Sequence, residues 1–155
     1  MTDAPLDEEP AEHLRYHRYL RELEAVAEAD EFALLATVLR DPHVGMAESA
    51  VNRHLERQAC RLLTDPAFTA WARAFATTVG DRSFLTRRLR EWTLLRAIAL
   101  DEPWTAEELT TASDWFQRTA STELAAASPE ALRLLAERGR TRRVRNAAGR
   151  RLRPP

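Results

Sequence analysis

The sequence predicts an all-α protein, a compact bundle or stack of helical hairpins with about six to seven helices. Three observations point there. Apolar side chains recur at i, i+3, i+4 and i+7 along most of the chain. Helix starts and stops punctuate it at short intervals: Asp-Pro, Thr-x-x-Glu, Ser-Pro-Glu and isolated glycines. No stretch alternates branched and polar residues with the period of two that a half-buried strand needs. With 155 residues, 45% of them apolar, the chain is long enough for one globular domain with a real core.

The organisation read from composition is an acidic, disordered segment over 1–9, a helical domain over 10–139, and a basic tail or frayed helix over 140–155. Pro10 suits a first helical turn, where its missing N–H is no loss. The helix it opens shows Tyr16, Tyr19, Leu23 and Val26 on one side, and either runs on to Arg40 or breaks near Asp30. Asp41-Pro42 stops it, because the residue before a proline avoids the helical region. A helix over about 44–63 buries Val51, Leu55, Ala59 and Leu62. Asp65-Pro66 opens the next, with the stripe Phe68, Trp71, Phe75 and Val79. Gly80 is placed to end it in a left-handed conformation. Arg73 is its one charge, so it is expected to be the central, most buried helix. A helix over 82–100 follows, with Leu85, Leu89, Trp92, Leu95 and Ala99 inward. Thr105-Ala106-Glu107-Glu108 is a capping box that starts a helix through Leu109, Ala112, Phe116 and Ala120. Ser128-Pro129-Glu130 starts another, and Gly139 stops it.

Composition also bounds the setting. No apolar run approaches the roughly 20 residues that cross a bilayer. Met1 to Glu12 holds five acids and no base, unlike a secretory leader. Cys60 is the lone cysteine, which suits a reducing compartment, so a cytoplasmic location is expected. Every one of the 23 cations is Arg, a bias expected of a high-GC bacterial genome. The net charge of −1 is unevenly spread. Residues 133–155 hold nine Arg against one acid, Glu137, leaving an acidic body ahead of a basic end.

Residues 34–60 resemble a single HEAT-type helical hairpin, through the turn Asp41-Pro42-His43-Val44 and the small residues that begin the second helix, with Gly45 standing where that family usually has Arg or Lys. The resemblance implies a scaffold that binds proteins rather than a catalyst. Residues 135–141, Leu-Ala-Glu-Arg-Gly-Arg-Thr, resemble the turn of a bacterial helix-turn-helix, whose second helix enters the major groove. Gly139 stands three residues after Ala136 and Val144 eight after, each closer than is usual in that family.

Candidate sites follow from these patterns. Arg138, Arg140, Arg142, Arg143, Arg145, Arg150, Arg151 and Arg153 form a candidate surface for an anionic partner. Trp104 and Trp115 fit their apolar stripes least well and are candidate interface aromatics. His13 and His17 share a helix face, but Glu12 precedes them, so the H-E-x-x-H pattern is missing and zinc would lack a third ligand. Cys60, beside Ala59, reads as a small buried hydrophobe. No catalytic residue, metal ligand or cofactor site is expected. The expected function is a non-enzymatic protein-interaction module, binding itself or another chain. The alternative is a nucleic-acid-associated protein that uses the Arg-rich end; a membrane partner is not expected.

Overall fold

A computed structural model of the chain describes residues 9–122 and 128–155. Residues 1–8 of the segment expected to be disordered lie outside the described residues. Among the described residues the structure is all-helical, with nine α-helices, one 3-10 turn and no strand. No helix among them is long and apolar enough to cross a membrane.

The helices are α1 (Ala11–Ala25), α2 (Glu31–Val38), α3 (Val44–Leu62), α4 (Phe68–Val79), α5 (Ser83–Ala99), α6 (Ala106–Thr111), α7 (Asp114–Thr122), α8 (Pro129–Arg138) and α9 (Arg142–Leu152). Of the two expected courses of the first segment, the structure shows the break: Val26 and Ala27 are extended, and a 3-10 turn at Glu28–Asp30 leads into α2. The number exceeds six to seven because one expected helix is divided in two and because the basic end contains α9. The expected helix through Leu109 and Phe116 breaks at Ala112, whose ψ is 158°. There Ser113 Oγ accepts from Phe116 N at 3.2 Å and so caps α7, while Glu91 accepts from Ser113 N and Oγ.

The chain forms two compact units. One comprises residues up to Leu62 together with Pro66–Arg88; the other comprises Leu63–Asp65 and Leu89–Pro155. The first unit buries Leu23, Leu35, Val51, Leu55, Phe68 and Phe75. The second buries Leu95, Leu109, Phe116, Leu135, Val144 and Ala148.

Several local expectations hold in detail. The capping box closes with Glu108 N donating to Thr105 Oγ1 at 3.2 Å and Thr105 N donating to Glu108 Oε2 at 2.7 Å. Gly80 ends α4 at a positive φ of 61° and donates its N–H to Ala76 O, although its ψ of −129° departs from the left-handed helical conformation expected. Two expectations do not hold. Helix α4 is not buried all round: Thr69, Ala70, Arg73, Ala76 and Thr77 are exposed, because its non-stripe positions are small residues that cost little to leave in water. Cys60 is exposed rather than buried, since the core side of α3 passes through Ala59 and Leu62 and leaves position 60 on the outer side.

Candidate functional site

The basic end is a built structure. Helix α8 is capped by Ser128, whose Oγ accepts from Ala131 N at 3.1 Å, with Pro129 in the first position. At its far end Gly139 donates to Leu135 O at 2.9 Å. A Cβ at that position would lie 2.5 Å from Leu135 O and 2.8 Å from Val144 Cγ1, so no other residue fits without moving backbone. Thr141 then caps α9, accepting from Val144 N at 3.1 Å. Residues 140–155, expected to be a tail or a frayed helix, thus contain an 11-residue helix with Val144 and Ala148 in the core.

A single buried side chain holds the α8–α9 turn in place. Gln117, fully buried on α7, accepts from Arg140 N at 2.8 Å through Oε1. Its Nε2 donates to Leu109 O at 3.0 Å and Thr110 O at 3.3 Å, two carbonyls in the last turn of α6. Gln117 therefore joins α6, α7 and the turn through one amide, which has both a donor and an acceptor to offer.

The eight candidate arginines divide by role. Arg140 donates through Nη1 to Ala112 O at 3.2 Å and lies 3.5 Å from Asp114. Arg145 donates to Gly139 O at 2.8 Å, and Arg151 to Ala120 O at 3.1 Å. These three fasten the turn and α9 to carbonyls of the same unit. Arg138, Arg142, Arg143, Arg150 and Arg153 are exposed. At about 100° per residue, Arg142, Arg143, Asn146 and Arg150 fall within a third of the helix circumference. No acid occurs anywhere in α9. The outer face of α9 is thus three guanidiniums and one carboxamide, opposite an inner face of Val144 and Ala148.

The candidate aromatics are only half exposed. Trp104 lies in the connection before α6, and the Trp115 ring centroid is 5.5 Å from that of buried Trp92. His13 and His17 are exposed on α1, with His17 Nε2 3.6 Å from Glu9. Among the described residues no three metal-ligating side chains stand together.

In the first unit, Glu31, His54 and Trp71 form a buried polar cluster. Arg57 Nη2 can only donate, so at 3.2 Å it meets the unprotonated Nδ1 of His54. The ring proton then sits on Nε2 and is donated to Glu31 Oε1 at 2.7 Å, which also accepts from Trp71 Nε1 at 2.9 Å. Burial, the largest influence, pushes the Glu31 carboxyl up, but the His54 and Trp71 hydrogen bonds outweigh it and hold the group below its ordinary range. Both His54 nitrogens are engaged and the ring is 1% exposed, so it offers no lone pair to a substrate. A second cluster closes the α2–α3 turn. Asp41 accepts from Arg15 Nε at 2.8 Å, His43 N at 2.9 Å and Tyr19 Oη at 2.7 Å. The Arg15, His43 and Tyr19 hydrogen bonds hold the Asp41 carboxyl far below the usual carboxylate range.

No protein-family model, curated protein or solved structure matches the chain. The arrangement of α9 must therefore speak for itself. Sequence reasoning found the arginines but not their division into fasteners and free groups, and it missed Gln117, Glu31 and His54. A faint mark exists for His54, which lies three residues after Val51 and beside Leu55, on the apolar side of α3. Gln117 follows Phe116 on a short helix, and nothing in its spacing separates it from a solvated glutamine.

Proposed function

We propose that the chain binds double-stranded nucleic acid through α9. One observation supports this reading above the others: the exposed Arg142–Arg143–Asn146–Arg150 face, free of acids, on a helix whose opposite face is anchored in the core. Planar guanidiniums match phosphate oxygens in bidentate fashion. An asparagine carboxamide can pair with the edge of adenine. The resemblance of residues 135–141 to a helix-turn-helix turn suggests the docking, with α9 in the major groove and Arg138 and Arg153 at the flanking phosphates. The test is fluorescence anisotropy with a short labelled duplex across a salt series. Binding should weaken steeply with salt, and the double variant R142E/R143E should lower the magnitude of the slope of log K on log salt by at least about 2. An intact chain that leaves the duplex unbound at low salt would overturn the proposal.

A protein-interaction role has its own foothold. Leu14 and Val44, 55% and 62% exposed in the first unit, are large apolar side chains left in water. This reading extends the scaffold role that the HEAT-type resemblance implies, with a second copy as the partner. Sedimentation of the intact chain as a monomer at high concentration would remove it.

A further inference from the structure

The first unit carries a basic strip that the α9 reading does not use. Arg53, Arg57 and Arg61 follow one another at i, i+4 and i+8 on α3, and all three are exposed. At a rise of 1.5 Å per residue their Cα atoms step along the helix by about 6 Å each time. Two of the three side chains are held in place, and by neutral acceptors. Arg57 Nη2 meets His54 Nδ1 at 3.2 Å, and Arg61 Nε donates to Gln58 Oε1 at 2.9 Å. Two other arginines of this unit face acids, Arg15 with Asp41 at 2.8 Å and Arg18 at 3.7 Å from Glu22, while Arg82 donates to the Val79 and Leu39 carbonyls. An arginine fixed by an acid spends its charge on that acid. One fixed by an imidazole nitrogen or an amide oxygen is oriented and keeps its charge for an outside anion. The two acids of α3, Glu48 and Glu56, make no ion pair with the strip among the described residues, and Glu56 instead accepts from Asn52 at 3.2 Å.

We infer that Arg53, Arg57 and Arg61 form a second phosphate-binding strip, which contacts the sugar–phosphate backbone of nucleic acid without reading bases. Regularly spaced guanidiniums, two of them held by neutral acceptors, suit a polymer with a repeating charge better than a single small anion, although Arg61 also feels the charge of buried Glu31. The cluster beneath has a part in this. Glu31 fixes the proton on His54 Nε2, which leaves Nδ1 as the acceptor that aims Arg57, so His54 is a positioning residue. The inference rests on the nucleic-acid reading of α9, but the two fail differently.

The experiment uses the full chain and the same labelled duplex, with wild type, R53Q/R57Q/R61Q, R53Q/R61Q and R142E/R143E compared over a salt series. The triple variant should lower the magnitude of the salt slope by about 2–3, and the double variant R53Q/R61Q, which leaves the His54–Arg57 bond intact, by about 1–2. Helical dichroism and melting should match wild type in both, which separates lost contacts from lost fold. An excess of polyglutamate should not displace the duplex from the R142E/R143E variant; displacement at charge equivalence would assign the strip to acidic proteins and overturn the inference. Unchanged slope and affinity in the triple variant, with R142E/R143E still impaired, would overturn it while leaving the α9 reading standing. No binding by wild type would remove both.

Discussion

Replacing Gln117 by leucine tests how the α8–α9 turn is held. The side chain is fully buried and its amide satisfies three groups on two elements, α6 and the α8–α9 turn. Leucine of similar bulk keeps the packing and removes the hydrogen bonds. Leu109 O, whose bond to Gln117 is buried at 3.0 Å, is left without a partner. Arg140 N, at 2.8 Å from Oε1, is left the same way but nearer to water. An orphaned buried group costs about 1–3 kcal/mol, so Gln117→Leu should destabilise by about 2–4 kcal/mol. That is a large part of the roughly 5–15 kcal/mol of an ordinary domain. Gln117→Glu adds a directional check. Its carboxylate still accepts from Arg140 N but turns a second oxygen toward the carbonyls of Leu109 and Thr110. Only the protonated acid can donate there, so its pKa is raised in the folded state. Its contribution is then complete below the ordinary glutamate value of about 4.3 and is lost as pH rises through the folded value. Urea midpoints followed by dichroism and by the emission of Trp92 and Trp115, at pH 7 and pH 4 and each relative to wild type, measure both effects. A leucine variant within about 0.5 kcal/mol of wild type would refute the reasoning. So would a glutamate variant whose deficit is the same at both pH values.

Gly139→Ala should destabilise by about 1–3 kcal/mol, because the added methyl lies 2.5 Å from a backbone oxygen that cannot swing aside; unchanged thermal melting would show that the turn relaxes freely. Acid should weaken the first unit through Asp41 and Glu31. Both carboxyls lie below their ordinary range when folded, so their stabilisation is complete above about pH 4 and is lost as pH falls further. Asp41→Asn and Glu31→Gln should each flatten the loss of urea midpoint between pH 7 and pH 3; a loss as steep as wild type in both would contradict the assignment.

What the sequence disclosed follows the range of each interaction. The Thr105–Glu108 box and the Ser128 cap were legible because the cap, its partner and the helix start all lie within four residues. The stripe Phe68, Trp71, Phe75 and Val79 was legible because burial imposes the helical period. Position 113 was not, since a serine inside an apolar period reads as interior until Glu91, 22 residues earlier, accepts from its N–H. Glu31 and His54, 23 residues apart, are buried only as a pair, and single-residue polarity assigns each to the surface. The basic end was legible in composition, and of its two expected forms, tail or frayed helix, it takes a helical one. Its helix depends on Val144 and Ala148 docking and on Gln117 gripping Arg140 N, neither of which is local.

The first turn of α9 bears on function because it runs against helix energetics. The N-terminus of a helix carries partial positive charge, and a cation there costs about 0.3–1 kcal/mol where an anion would gain as much. Yet α9 opens with Arg142 and Arg143 and has no acid in that turn, relying on the Thr141 cap. The all-arginine composition of the chain accounts for the choice of cation, not for the placing of two cations where aspartate or glutamate would stabilise. A position that opposes local stability is expected where a site needs it. The R142E/R143E variant should therefore melt higher than wild type, by a few degrees, while binding the duplex more weakly. Higher melting with unchanged duplex affinity would mean that the face serves no phosphate. Lower melting would mean that the two guanidiniums hold α9 in place, and the argument from misplaced charge would fall with it.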